Sequence, residues 1–141
     1  MADPTAADRQ AVYTRDVFRC VRCGGEQLLT VQHRAAVGMG GTKLRPTTTE
    51  LLTACLICNE AFEGFLQTGA LLNGWKVPRW LQEKGKREGM NLVGDVPVYY
   101  AVERIWCVLI MGARMHITEQ QALATMRDIY GPQYDEWRLA A

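Results

Sequence analysis

The chain has 141 residues, of which 48% are hydrophobic and 22% charged, and its formal net charge is +1. These values fit one globular domain, or a small metal-stapled module with an appended subdomain, and exclude a disordered chain or a disulfide scaffold. No apolar run approaches the ~18–20 residues a membrane span needs, and a charge so near zero means that any nucleic-acid surface must come from local clustering.

Taken in chain order, Asp3 to about Asp16 predicts a helix, with Asp3 as N-cap and Pro4 at the first helical position, where no amide donor is needed. Phe18 to Gly25 predicts a short strand entering a knuckle, in which Gly24 and Gly25 permit a left-handed turn. Leu28–His33 predicts a second strand, with Gly24-Gly25-Glu26 closing a hairpin before it. Residues 35–49 carry Gly38, Gly40, Gly41, Pro46 and three consecutive threonines, and predict a long loop of the kind that is often functional. From Ile57, the spacing of Ala61, Phe62, Phe65 and Leu66 predicts a helix that Gly69 can end.

Residues 70–94 are less regular. Lys76, Arg79, Lys84, Lys86 and Arg87 outnumber Glu83 and Glu88, with Trp75 and Trp80 among them. A solvated face with aromatic anchors in the core is the favoured reading, and a phosphate-tracking surface is the other. The β-branched and aromatic run from Val96 to Ile117 predicts a hairpin over Arg104–Ile117 turning at Met111-Gly112, with a helix over 98–111 as the alternative. His116 falls on the polar face of that hairpin as a surface histidine, and Cys107 reads as a core cysteine. Thr118 and Gln121 form a capping box for a last helix, stopped by Gly131-Pro132.

The N-terminus shows no basic-then-apolar leader, so the expected location is reducing cytoplasm, where paired CxxC units favour metal over disulfide. Four of the five cysteines form two such pairs, Cys20-Val21-Arg22-Cys23 and Cys55-Leu56-Ile57-Cys58. Four thiolates suit the closed tetrahedral site of structural Zn²⁺; iron–sulfur or redox chemistry with the same ligands is the lesser alternative. The gap between the pairs exceeds the ~15–20 residues of the simplest double-CxxC spacing, leaving room for a strand and a loop. Between them lies His33, one of two histidines. A lone histidine at a strand end is by default structural, but this one precedes Arg34 and a glycine loop and sits between two knuckles.

Arg15-Asp16, Arg19-Cys20-Val21-Arg22-Cys23-Gly24, Val31-Gln32-His33-Arg34, Gly38-Met39-Gly40-Gly41 and Leu51-Leu52-Thr53-Ala54-Cys55-Leu56-Ile57-Cys58-Asn59 together resemble the HNH endonucleases, in the small zinc-stapled form encoded by tailed phages. The resemblance covers residues 13–66. It implies an α+β fold, with a zinc-stapled ββα-metal (HNH, treble-clef-like) core and an N-terminal helix over 1–69. An accessory α+β extension over 70–141, with a β-hairpin and a C-terminal helix, would pack on that core.

The implied activity is metal-dependent DNA endonuclease. His33 would be the general base, Gln32 and Asn59 ligands of a catalytic Mg²⁺ or Mn²⁺, Glu50 the residue that helps hold the base, and Arg34 a phosphate contact. Family members usually have Asp or His at Gln32, Asn at Glu50 and His at Asn59, and amide oxygens are weaker ligands for hard cations than carboxylates. Glu50 or Glu60 could add a carboxylate. Those departures motivate a second expectation, a catalytically lapsed HNH fold that binds DNA or a protein partner such as a host factor or phage packaging component. Groove reading by the Thr118–Tyr130 helix is a weaker third, since Arg127 is nearly its only positive charge.

Overall fold

The structure, a computed structural model, describes residues 3–36 and 46–141. It is a mixed α+β fold with two small antiparallel sheets and several helices. The glycine loop expected around Gly38–Gly41 lies outside the described residues.

Helix α1 spans Ala6–Arg15. Its cap is Thr5 rather than Asp3: the Thr5 hydroxyl accepts from the Asp8 amide at 3.0 Å and the Asp8 carboxylate accepts from the Thr5 amide. That reciprocal box satisfies two amides, more than a lone Asp3 could reach. The predicted strand over Phe18–Gly25 is instead a set of tight turns, with Val17 and Phe18 in the left-handed region (φ 52° and 54°). The expected Gly24–Glu26 hairpin is absent because the strand that follows pairs elsewhere.

That strand, β1 (Leu29–His33), pairs antiparallel with β2 (Leu51–Cys55), in register Leu29 with Cys55 and His33 with Leu51. Cross-strand partners share a face and successive residues alternate. On one face Val31 and Leu51 pack against Val12 of α1. On the other, Leu52 and Ala54 join Phe62, Trp75, Val98 and Tyr100 in a larger cluster. Being covered on both sides, β2 is buried along its whole length.

Helix α2 (Leu56–Phe62) is shorter than predicted, and Gly69 sits inside a separate helix, α3 (Gln67–Leu72), rather than ending the first. The chain turns at Gly64, and the Leu66 amide folds back onto the Ala61 carbonyl at 2.9 Å. Helix α4 (Arg79–Glu88) follows, closed by Gly89 in the left-handed conformation (φ 68°). The second sheet is β3 (Val98–Tyr100), β4 (Ile105–Ile110) and β5 (Ala113–Ile117). The hairpin turning at Met111-Gly112 is as predicted, with Cys107 buried and His116 exposed, and β4 excludes the alternative helix over 98–111. Helix α5 (Glu119–Tyr130) carries the predicted Thr118/Gln121 box. Gly131-Pro132 ends it but also starts another, α6 (Pro132–Ala140), because proline suits the first helical position.

The hydrophobic cores do not stop at residue 69. One cluster joins Cys20, Leu52 and Phe62 to Trp75, Val98 and Cys107; a second joins Ala35 to Val77, Val96, Met126 and Tyr134. Gly74 packs tightly against the segment just before β3. Its φ is +72°, and a Cβ there would run into the carbonyl of Pro97. Gly74→Ala is therefore expected to cost more than about 2 kcal/mol, through both strain and overlap; a urea midpoint unchanged from the parent would refute this.

Candidate metal centre and the surroundings of His33

The metal cluster forms where two turns meet. Cys20 and Cys23 flank the first, in which the Gly24 amide reaches Cys20 O (2.9 Å), the Cys20 amide reaches Gly25 O (2.9 Å), and Gly24 has φ +72°. Cys55 ends β2 and caps α2: its sulfur accepts the Cys58 amide at 3.4 Å, while the Cys23 sulfur accepts the Gly25 amide at 3.3 Å. The four sulfurs lie within 4.8 Å of one another, and Cys23 Sγ is 3.8 Å from Cys55 Sγ. Zinc–sulfur bonds of about 2.3 Å at tetrahedral angles put neighbouring sulfurs about 3.8 Å apart, so the spacing fits such an ion and is far too long for a disulfide.

Burial pushes the Cys58 thiol up to about 12 despite an Arg22 guanidinium 3.7 Å from its sulfur. Four thiolates this close repel one another, and a divalent cation that the cluster could chelate would offset that repulsion. With four protein sulfurs the coordination is closed, so the ion would stabilise the fold and leave no open position for substrate.

His33 lies at the other end of the same hairpin. Leu29 pairs with Cys55 and His33 ends the strand, which places it about 13 Å away along β1. Its register partner Leu51 puts it on the α1 face. The ring is half-buried, and Nδ1 is buried with no hydrogen-bond partner among the described residues. Burial lowers its pKa below the ordinary imidazole value. Glu50 and Asp3 push the other way, and Arg9 adds to the lowering. Asp3 and Arg9, from the first residues and α1, are the neighbours that sequence reading missed. The sequence offered them only as parts of a helix, with Asp3 as its N-cap.

The other expected site residues are placed as follows. Gln32 is buried on the opposite face, where its Nε2 donates to Trp75 O at 3.2 Å. Asn59 is half-buried on α2, whose Phe62 joins Leu52 and Ala54 on that opposite face. Glu50 ends a short 3-10 turn over Thr48–Glu50, and its carboxylate accepts the Thr47 amide at 2.7 Å. Its backbone oxygen accepts the Arg34 amide at 2.9 Å.

Arg34 is a correction. Expected to meet a phosphate, it is 1% exposed and every N–H of its guanidinium is already used. Nε and Nη2 donate to Gly74 O, Nη1 to Thr49 O and Val93 O, and Nη2 also to Val96 O, at 2.7–3.1 Å. No donor is left for a ligand.

A buried pair just before the first knuckle does similar work: Arg15 holds Thr48 O and Leu51 O, and Asp16 accepts from Arg15, from the Thr53 amide and from the Tyr100 hydroxyl.

Apart from the cysteines, no three His, Cys, Asp or Glu groups gather among the described residues as a metal site. Gln32 does not fit a cation ligand beside His33, because the two side chains leave the strand on opposite faces and the Gln32 amide is engaged. No helix among the described residues is long and apolar enough to cross a membrane. Set against protein-family models, curated proteins and solved structures, the chain matches none.

Proposed function

We propose that this chain is an HNH-type DNA endonuclease in which His33 is the general base of phosphodiester hydrolysis. The observation that carries the reading is His33 itself: a half-buried imidazole whose pKa burial lowers, at the end of the first strand of a β1–β2–α2 unit that the cysteine cluster closes. A neutral ring can take a proton from water as its oxygen bonds to phosphorus; the bond from phosphorus to the 3′ oxygen breaks, and that oxygen is protonated by solvent. The resemblance calls for Mg²⁺ or Mn²⁺ as well. Asn59, the other ligand the resemblance implies, sits on α2, which packs on the face opposite His33, so beside His33 the substrate's own phosphate oxygens would have to hold it.

The test is nicking of supercoiled plasmid by zinc-loaded protein with Mg²⁺ or Mn²⁺. His33→Ala is expected to slow it by about 10²–10⁴-fold, the usual contribution of a general base. Plasmid, linear and branched DNA all left intact with Mg²⁺, Mn²⁺ and Ni²⁺ would end the reading. Because the ring pKa is lowered, the rate is expected to hold as pH falls through about 6.5 and to drop only below it. The same shift costs stability below about pH 6.5, where the unfolded chain takes up a proton that the folded ring resists, and costs nothing above it.

A second reading, a lapsed nuclease fold that binds DNA or a protein, is favoured by one observation: Gln32 and Arg34, both expected to serve the reaction, are committed to backbone carbonyls. It predicts DNA or partner binding that survives His33→Ala and fails when zinc is removed.

A further inference from the structure

We propose that α4 is the element that grips the phosphate backbone of duplex DNA, an inference that rests on the DNA-directed reading above and names the face that meets the substrate. The structure divides the basic, tryptophan-containing stretch into parts with different work. Trp75 is in the core, its Nε1 donating to Tyr99 O, and Lys76 is paired with Glu63, so neither is available to a nucleic acid. What remains is one amphipathic helix. Leu81 and Gly85 are its buried residues, and a Cβ on Gly85 would press into Met90 O. At ~100° per residue, that inward face leaves Arg79, Glu83, Lys86 and Arg87 pointing outward. These four and Lys84 are exposed. Arg79 pairs with Glu83 at 3.1 Å; among the described residues Lys84, Lys86 and Arg87 have no acidic partner within 4.0 Å.

Position supplies the second argument. Ala35, two residues beyond His33, forms a parallel bridge with Val77, and the Val77 amide donates to Arg34 O at 2.7 Å. Pro78 follows, and α4 begins. The helix therefore starts from backbone bonded directly to the His33 strand, and it runs on for about 15 Å. Trp80 anchors that start, edge-on to Tyr130 and hydrogen-bonded to Gln133. A cationic helix joined by backbone hydrogen bonding to the chain just after the candidate base is complementary in charge to the phosphate backbone of a duplex. Lys86 and Arg87 also complement the helix dipole at its C-terminal end, but that effect changes helix stability and leaves DNA binding unmoved.

The experiment is fluorescence anisotropy of a labelled duplex of about 20 base pairs across a salt series, using His33→Ala protein so that DNA stays intact. Substituting Lys84→Gln, Lys86→Gln and Arg87→Gln together is expected to reduce the slope of log Kobs against log salt by about 2–3, and to weaken binding roughly 100-fold at about 0.1 M salt. Glu83→Gln, which frees Arg79, is expected to act oppositely, tightening binding and steepening the slope. All four positions are exposed on a helix and glutamine is a good helix former, so circular dichroism should match the parent. A parental slope in the triple variant, or a parent that does not bind duplex DNA, overturns the proposal. Its fate separates from that of the nuclease: cleavage with an unchanged slope sinks α4 alone, and a reduced slope in a chain that never cleaves sinks His33 catalysis alone.

Discussion

Cys58→Ser is expected to unfold the protein and abolish zinc binding. Cys58 is buried at the first turn of α2, and with Cys55 it joins the β2–α2 corner to the turn that carries Cys20 and Cys23. Little else holds that turn. It contains no helix or strand, its entry runs through left-handed Val17 and Phe18, and its main backbone contacts outside the knuckle are the Val21 amide on Thr53 O and the Ala101 amide on Val21 O.

Four-sulfur zinc sites contribute on the order of 10 kcal/mol to folding, comparable to the whole stability of a small domain. A serine oxygen is a far poorer zinc ligand than a thiolate. The expected result is less than stoichiometric zinc by elemental analysis and loss of a cooperative thermal transition, with the same collapse of wild type in a strong chelator. Cys107→Ser is the control: that thiol lies in β4, outside the four-sulfur cluster, and its variant should bind zinc in full. A Cys58→Ser protein with one zinc per chain and an unchanged Tm would remove the metal centre from the account.

Arg34→Met is expected to be among the most destabilising single substitutions elsewhere in the chain. Methionine fills much of the same space but leaves the carbonyls of Thr49, Gly74, Val93 and Val96 without their donors. A buried polar group stripped of its partner costs about 1–3 kcal/mol, so the sum is about 4 kcal/mol or more. Arg34→Lys should rescue only part of this, since an ammonium cannot present the planar fork that reaches carbonyls on several sides. The measurement is the urea unfolding midpoint. A loss under about 1 kcal/mol for Arg34→Met would mean that the guanidinium does not clamp these carbonyls. On the proposed nuclease reading, a surviving Arg34→Lys protein, altered directly beside His33, should also cleave more slowly at unchanged zinc content.

The cysteine spacing alone marked the candidate metal centre, because a tetrahedral thiolate site needs ligands of one type at short fixed intervals, and those intervals are local. The capping box at Thr118 and Gln121, the Met111-Gly112 hairpin and the burial of Cys107 were legible for the same reason, as each depends on residues a few positions apart. The shape around His33 was not. A strand sequence does not say which partner it will take, so Leu28–His33 looked like the second arm of a local hairpin when it pairs across the long loop with Leu51–Cys55.

That pairing decided which face His33 and Gln32 occupy, and so separated two residues that adjacency suggested would work together. It also decided Arg34. In sequence, an arginine beside a candidate catalytic histidine resembles a phosphate ligand. Only the fold brings Gly74, Val93 and Val96 around it and turns its charge inward. The basic helix shows the same limit from the other side: its charges are plain in the sequence, but its attachment to the His33 strand through Ala35 and Val77 is a long-range contact that local pattern does not encode.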